Sequence, residues 1–318
     1  MKEASFLKQR SKKLLSDGVR RPWIGAPLTR KVFLLLFVHK KKILLLLPLL
    51  LTGCSGTDVL NAFAPSSGIV VRHDLAYGSG PRRGLDLYAP ADASHAPVAV
   101  FFYGGGWTEG ARAEYRFVGA TLAAHGIVTV VPDYRLYPEV RYPAFIQDGA
   151  AAIAWARTHA ADYGGDPHKL FLIGHSAGAY IAMMLALDPE WLAPYGIAPR
   201  DLAGVVGISG PYDFLPLDTD QLRDIFAPAQ PLSVSQPINH VGGAIPPVLL
   251  LTGSADHTVL PRNSYNLAAA IRAKGGEVEV KTYPGLNHAF ALGAIATPLT
   301  FLAPVQSDVT AFIMRETR

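Results

Sequence analysis

The stretch that most constrains this chain runs from Lys169 to Leu187, Lys-Leu-Phe-Leu-Ile-Gly-His-Ser-Ala-Gly-Ala-Tyr-Ile-Ala-Met-Met-Leu-Ala-Leu. It reads as a short apolar strand, a tight turn and an apolar helix. The turn, Gly174-His175-Ser176-Ala177-Gly178, has the form G-x-S-x-G. Such a turn pushes the serine hydroxyl out at the carboxyl edge of a sheet, and its glycines are needed because a Cβ at either position would crowd it. The helix behind aims its free N–H groups and positive dipole end at the serine, which favours an anion there. The pentapeptide also arises by chance; the strand–turn–helix context gives it chemical meaning.

The rest of the chain repeats the same alternation. Asp74 to Tyr88 reads as one or two edge strands. Pro97–Tyr103, Ile127–Val131, Gly204–Ser209 and Pro247–Thr252 read as buried strands. Helices are expected over Tyr115–Ala124, Ala144–Ala161, Pro261–Lys274 and Val305–Arg315, with glycines after the first three as stop signals. Asp166-Pro167 reads as a turn, and Glu277–Tyr283 as a strand near the sheet margin. Pro211–Ile245, rich in Pro, Asp, Ser and Gln, reads as an excursion that walls a substrate pocket. This pattern predicts an α/β fold with a mostly parallel sheet covered on both faces. No linker interrupts it, so one domain is expected over residues 68–318.

A serine alone is a poor nucleophile; it needs a base, and the base needs an orienting carboxylate. Asp256 follows the strand ending at Thr252, and His288 follows the next one. The order Ser…Asp…His is the one such a turn requires. Asp256 read alone is also a turn former bonding its own backbone, and His288 read alone a half-buried loop histidine. An oxyanion formed at Ser176 needs fixed N–H donors. Ala177, Gly105 and Gly106 are placed to offer them, unless the glycines are only a turn. His175 is expected to pack inside the elbow, and His257 to point elsewhere on the acid loop. The remaining histidines stand at no metal-ligand spacing, so neither metal nor cofactor is expected.

These stretches resemble the α/β-hydrolase superfamily. Within it the chain is similar to carboxylesterases with an H-G-G-G-W or H-G-G-x-W motif, a set that includes hormone-sensitive-lipase-like, isoprenylcysteine-methylesterase-like and feruloyl-esterase-like proteins and arylformamidases. The resemblance rests on Gly104-Gly105-Gly106-Trp107, Pro132-Asp133-Tyr134-Arg135-Leu136, Gly164–Pro167, Gly174–Gly178, the loop to Asp256, and Gly285–Phe290. It implies a serine esterase with Ser176, His288 and Asp256 as triad and Gly105, Gly106 and Ala177 as oxyanion hole. Tyr103 stands where those proteins usually carry His, a side chain that braces the loop. Arg135 and Asp148 read either as a structural pair or as two solvated charges. Three alternatives stay open: an arylformamidase acting on an N-formyl amide, a peptidase, and a non-catalytic envelope lipoprotein. The intact Ser, Asp and His count against the last, and the absence of a propeller-sized domain counts against the peptidase.

Charge divides the chain. Residues 1–42 carry 12 Lys and Arg against 2 Asp and Glu, whereas the remainder carries 17 against 23. The basic character belongs to the leader, so nucleic acid is not an expected partner. Lys40-Lys41-Lys42, the apolar run Ile43–Leu51 and Thr52-Gly53-Cys54 form a secretory signal. The apolar run is too short to span a bilayer, and adding Val32–Val38 would bury three lysines at about 3 kcal/mol each. Leu51-Thr-Gly-Cys54 resembles the lipobox of bacterial lipoproteins, which implies a lipid on Cys54, the chain's only cysteine. The expected organisation is a leader over residues 1–53, a tether over 54–67 and the domain over 68–318. The expected location is the bacterial envelope, lipid-anchored on the periplasmic or exterior face. Residues 1–37 precede a complete signal, so Val38 is an alternative start.

Overall fold

Eight strands form one sheet in a computed structural model that describes residues 55–317. The strands are β1 (Ile69–Ala76), β2 (Gly84–Pro90), β3 (Ala96–Phe102), β4 (Val128–Pro132), β5 (Gly165–His175), β6 (Gly204–Ile208), β7 (Val248–Gly253) and β8 (Val278–Tyr283). Their order is β1-β2-β4-β3-β5-β6-β7-β8. The β1–β2 and β2–β4 pairs are antiparallel and every other pair is parallel. Every residue of β3, β4, β6 and β7 is buried. That is why these strands read as unbroken apolar runs: both sheet faces are covered. At the margin, β8 leaves all but Tyr283 partly or wholly accessible, and its sequence alternates accordingly.

Among the described residues the helices are α1 (Gly56–Ala62), α2 (Arg116–Ala124), α3 (Ala144–His159), α4 (Ala177–Leu187), α5 (Asp220–Phe226), α6 (Arg262–Ala273), α7 (His288–Gly293) and α8 (Val305–Glu316). None is long and apolar enough to cross a membrane. Right-handed crossovers send α2, which links β3 to β4, to one face and α3, α4 and α6 to the other. Packing agrees: a Cβ on Gly149 of α3 would meet Ile181 of α4, and one on Gly126 after α2 would meet Met314 of α8. Helix α4 is buried on all sides, which explains its all-round apolar sequence.

The order of strands reverses between β3 and β5. The strand after β3 lies to one side and the strand after β5 to the other, so the crevice outside their carboxyl ends is a topological switch point, the place where open α/β sheets take ligands.

Three stretches differ from their sequence reading. Residues 55–67, read as a tether, carry α1. It is capped by Ser55 and bonded to the domain through Asn61, which donates to Ala113 O and accepts from Phe117 N. Asp166-Pro167, read as a turn, lies inside β5 beside a register shift between Ala96 and Val98. Such an irregularity tolerates a proline, which has no N–H to donate. The excursion Pro211–Ile245 contains α5 and is pinned by side chains that satisfy its backbone. Asn263 Oδ1 accepts from the N–H groups of Tyr212 and Asp213, and Gln236 Oε1 from that of Phe214.

His240 fastens the far end of the excursion to the C-terminus of α4. Its Nδ1 lies 3.0 Å from Asp188 Oδ2 and its Nε2 2.7 Å from Val234 O. Val234 O only accepts, so Nε2 carries a proton, and a second proton on Nδ1 makes the ring an ion-pair partner for Asp188. The bond to Asp188 raises the pKa of His240 against the opposing effect of burial. Burial opposes ionisation of Asp188, but His240 and the Glu190 N–H more than offset it and its pKa falls. A raised histidine pKa stabilises the fold fully below the unfolded value, about 6.5, and the gain is lost as pH rises through the folded pKa. The lowered carboxylate pKa stabilises above about 3.9, and that gain is lost as pH falls through its folded value. The melting-temperature gap between wild type and His240→Gln should therefore be widest between about pH 4 and 6.5 and should narrow at higher pH. Thermal melts across pH 4–9 check this, and a gap that widens with rising pH contradicts it.

Candidate active site

Ser176 sits between β5 and α4 with φ 54° and ψ −122°. This conformation is strained for a residue with a side chain and persists only where its surroundings enforce it. They do: Ser176 N donates to Ile208 O at 2.9 Å and Ser176 O accepts from Tyr180 N at 3.1 Å. The flanking glycines permit the close approach. A Cβ on Gly174 would lie 2.3 Å from Gly178 O, and one on Gly178 would lie 2.1 Å from Phe102 O.

Asp256 leaves the loop after β7, and His288 opens α7 behind its cap Asn287, whose Oδ1 accepts from Phe290 N. His288 Nδ1 lies 2.8 Å from Asp256 Oδ2 and its Nε2 2.9 Å from Ser176 Oγ. Asp256 uses its two oxygens in different directions. Oδ2 faces His288, while Oδ1 accepts from the N–H groups of Thr258 and Val259 at 3.0 and 2.9 Å. Burial opposes ionisation of this carboxyl, but His288 and the Val259 N–H outweigh it and hold its pKa below the usual range. The nearby Ser209 hydroxyl adds to this lowering without reaching good hydrogen-bond geometry. An ionised Asp256 can only accept, so Nδ1 of His288 carries the proton and Nε2 is left to accept from Ser176. His257 beside it is exposed to solvent.

The loop after β3 faces Ser176 across the switch point. A Cβ on Gly104 would lie 3.0 Å from Ser176 Cβ. Gly105 and Gly106 have φ 122° and 58°. Gly105 O accepts from Thr108 N and Glu109 N, closing the loop on itself. Among the described residues, the N–H groups of Gly105, Gly106 and Ala177 have no protein acceptor. Tyr103 braces the loop from below. Its hydroxyl donates to Asp133 Oδ1 at 2.7 Å and accepts from Arg82 Nη2 at 2.8 Å, while Arg82 also donates to Gly110 O. Its ring stacks between those of Tyr115 and Tyr134. Arg112 bonds Asp133 in turn, and with it Asp74 and Asp86. Sequence reasoning missed this network because its members come from β1, the β1–β2 turn, β2 and two later loops. Arg135 and Asp148 are a structural pair. Nε and Nη2 of Arg135 donate to the two oxygens of the buried Asp148 at 2.8 Å each.

Trp107 closes one side. Its buried ring contacts Tyr180 of α4 and, from the excursion, Phe214 and Phe226, with centroids 5.0 to 6.2 Å apart. A surface cavity of about 510 Å3 lined by His95, Gly164, Asp166 and His168 lies at the amino end of β3 and β5, the wrong edge of the sheet for this chemistry. No cluster of three or more His, Cys, Asp or Glu among the described residues is arranged to hold a metal ion.

The arrangement can deprotonate a hydroxyl, hold the resulting imidazolium against a carboxylate, and meet a nascent oxyanion with backbone N–H groups. Known proteins share the frame. Esterase LipC of Mycobacterium tuberculosis is 32% identical over 70% of this chain and 60% of its own. A probable isoprenylcysteine alpha-carbonyl methylesterase of Arabidopsis thaliana is 28% identical over 69% and 51%. The chain thus spans about half to three-fifths of the length of these curated relatives. The apo form of Thermogutta terrifontis esterase 2 superposes with a TM-score of 0.60 at 28% identity, covering 71% of this chain and 87% of that one. A truncated carbohydrate esterase from gut microbiota shares the fold, with a TM-score of 0.68 at 22% identity over 80% and 99%. The family model described as BD-FAE matches residues 85–271, more than half of the sequence, and the chain belongs to that family, on an α/β-hydrolase fold.

Proposed function

We propose that the chain hydrolyses carboxylic esters of small molecules through an acyl-enzyme. Ser176 attacks the ester carbonyl while His288 takes its proton, and His288 then protonates the leaving alcohol. Asp256 keeps the imidazole in its working tautomer and stabilises its protonated form. Gly105, Gly106 and Ala177 donate to the tetrahedral oxyanion. Water, activated by His288, releases the acid. The observation that carries this reading is the continuous relay from Ser176 Oγ through His288 to Asp256, at 2.9 and 2.8 Å, on a strained elbow. The esterase names of the relatives support it. Kinetics on short and long acyl esters, aryl esters and N-formyl amides test it. Turnover of esters well above the amides is the expected result, and faster cleavage of N-formylkynurenine than of any ester would replace it with an arylformamidase.

The proposal includes a lipid on Cys54, with the protein anchored in the bacterial envelope. Cys54 lies outside the described residues, so its support is the sequence Leu51-Thr-Gly-Cys54 behind a charged and apolar leader. A diacylglyceryl group would hold firmly, since each buried CH2 contributes about 0.8 kcal/mol and two chains act together. Cys54→Ser should shift the protein from the membrane fraction to the soluble one, or leave it uncleaved. Mass spectrometry of the mature protein checks this directly; an unmodified Cys54 contradicts it.

A further inference from the structure

His175 is a buried imidazole that the mechanism above does not use. Its Nε2 lies 3.2 Å from the carbonyl oxygen of His288, and the two rings stand 4.8 Å apart between centroids, tilted by 41°. A carbonyl only accepts, so Nε2 carries the proton. Nδ1 is then the bare nitrogen; it is buried and has no partner. It lies over Gly104, where a Cβ would be 3.0 Å away. The ring therefore touches three parts of the site at once: it precedes Ser176, backs the first residue of the glycine loop, and bonds the backbone of the base. Burial, then the neighbouring His288, push its pKa down to about 3. It stays neutral and does not repel His288 when that ring is protonated.

An apolar residue would fill this space without burying an unpartnered nitrogen. Buried unsatisfied polar atoms are uncommon and call for a reason. The reason on view is the other nitrogen. His288 is the first residue of α7. Fixing its carbonyl fixes its peptide plane, and with it the direction of the bond that carries the imidazole. Small displacements of such a group cost rate out of proportion to their size.

We infer that His175 is a positioning residue: its Nε2–H holds the backbone of His288 so that the base stays in register between Ser176 and Asp256. The inference rests on the ester-hydrolase reading and deepens it.

Three variants test it. His175→Phe keeps the ring and removes the N–H. His175→Gln keeps an amide donor near Nε2, and His175→Met is its apolar match in shape. Activity on p-nitrophenyl acetate is measured per active site titrated with a fluorophosphonate, so misfolded protein is not counted. Phe and Met variants should lose about 10- to 100-fold in kcat with KM within about twofold. Gln should recover to within about fivefold of wild type, because it restores the donor. If Phe fails to fold, the Gln and Met pair decides. Unchanged kcat in the Phe or Met variant overturns the inference, as does a Gln variant as slow as Met. Failure of the wild type to turn over any ester is a separate outcome, which overturns the ester-hydrolase reading and this inference with it.

Discussion

Ser176→Ala is expected to lower kcat on a p-nitrophenyl ester by at least about 10⁴-fold, because members of a triad act as a unit and the loss of one removes nearly all they supply together. The size follows from the geometry. Ser176 Oγ is the group that His288 Nε2 faces at 2.9 Å, and that Nε2 is the only nitrogen of the ring left to accept. Without the hydroxyl no acyl-enzyme forms, and what survives is binding and the N–H groups of the loop acting on water. The fold should be untouched. Alanine retains the Cβ that the elbow already accommodates at φ 54°, and the bonds that clamp residue 176 use its backbone. Circular dichroism and melting temperature should match wild type, and fluorophosphonate labelling should vanish. A variant that keeps more than a tenth of wild-type turnover would mean that Ser176 is not the nucleophile.

The parts of the molecule legible in sequence are those written in local pattern. The elbow announces itself because its glycines, serine and flanking apolar runs are contiguous. Asp256 and His288 could be picked out because each follows its own strand, and the sheet then brings strand ends together: β7 and β8 are neighbours, two and three strands from β5. What escaped notice depends on contacts between distant segments. Tyr103 reads as a simple replacement for His. Its hydroxyl in fact joins Asp133, 30 residues on, to Arg82, 21 residues back. Helix α5 lies in a stretch of weak periodicity and is held by Tyr142 N on Ile225 O and by aromatic packing of Phe226. Helix α1 is only seven residues long and owes its place to Asn61. Tertiary contacts, not propensity, decide such short pieces. Arg135 and Asp148 show the same limit: two charges 13 apart read equally as solvated, and only the fold makes them a fork.

Gly105→Val is expected to cost at least about 10²–10³ in kcat, or about 3–4 kcal/mol, the effect of losing one oxyanion donor. The loop admits no side chain there. At φ 122° a Cβ would sit 2.1 Å from Glu109 O and 2.8 Å from Glu109 C, and that backbone cannot yield while Glu109 N is bonded to Gly105 O. A β-branched residue is further excluded from this φ. The turn must open, and its N–H groups are then lost to the proposed oxyanion hole. Gly106 offers the internal control. Its φ of 58° also disfavours a side chain, but an added Cβ meets only Thr108 Oγ1, at 3.9 Å. Gly106→Ala should therefore pay the modest cost of a left-handed residue, about 1–2 kcal/mol of stability, and lose much less rate. Because the relay from Ser176 to Asp256 does not pass through the loop, Gly105→Val should still react with a fluorophosphonate, more slowly than wild type. If Gly104–Gly106 were no more than a turn, Gly105→Val would depress the melting temperature and leave kcat per labelled site nearly unchanged. Measuring both quantities for both variants separates a loop that holds the oxyanion from one that only joins β3 to α2.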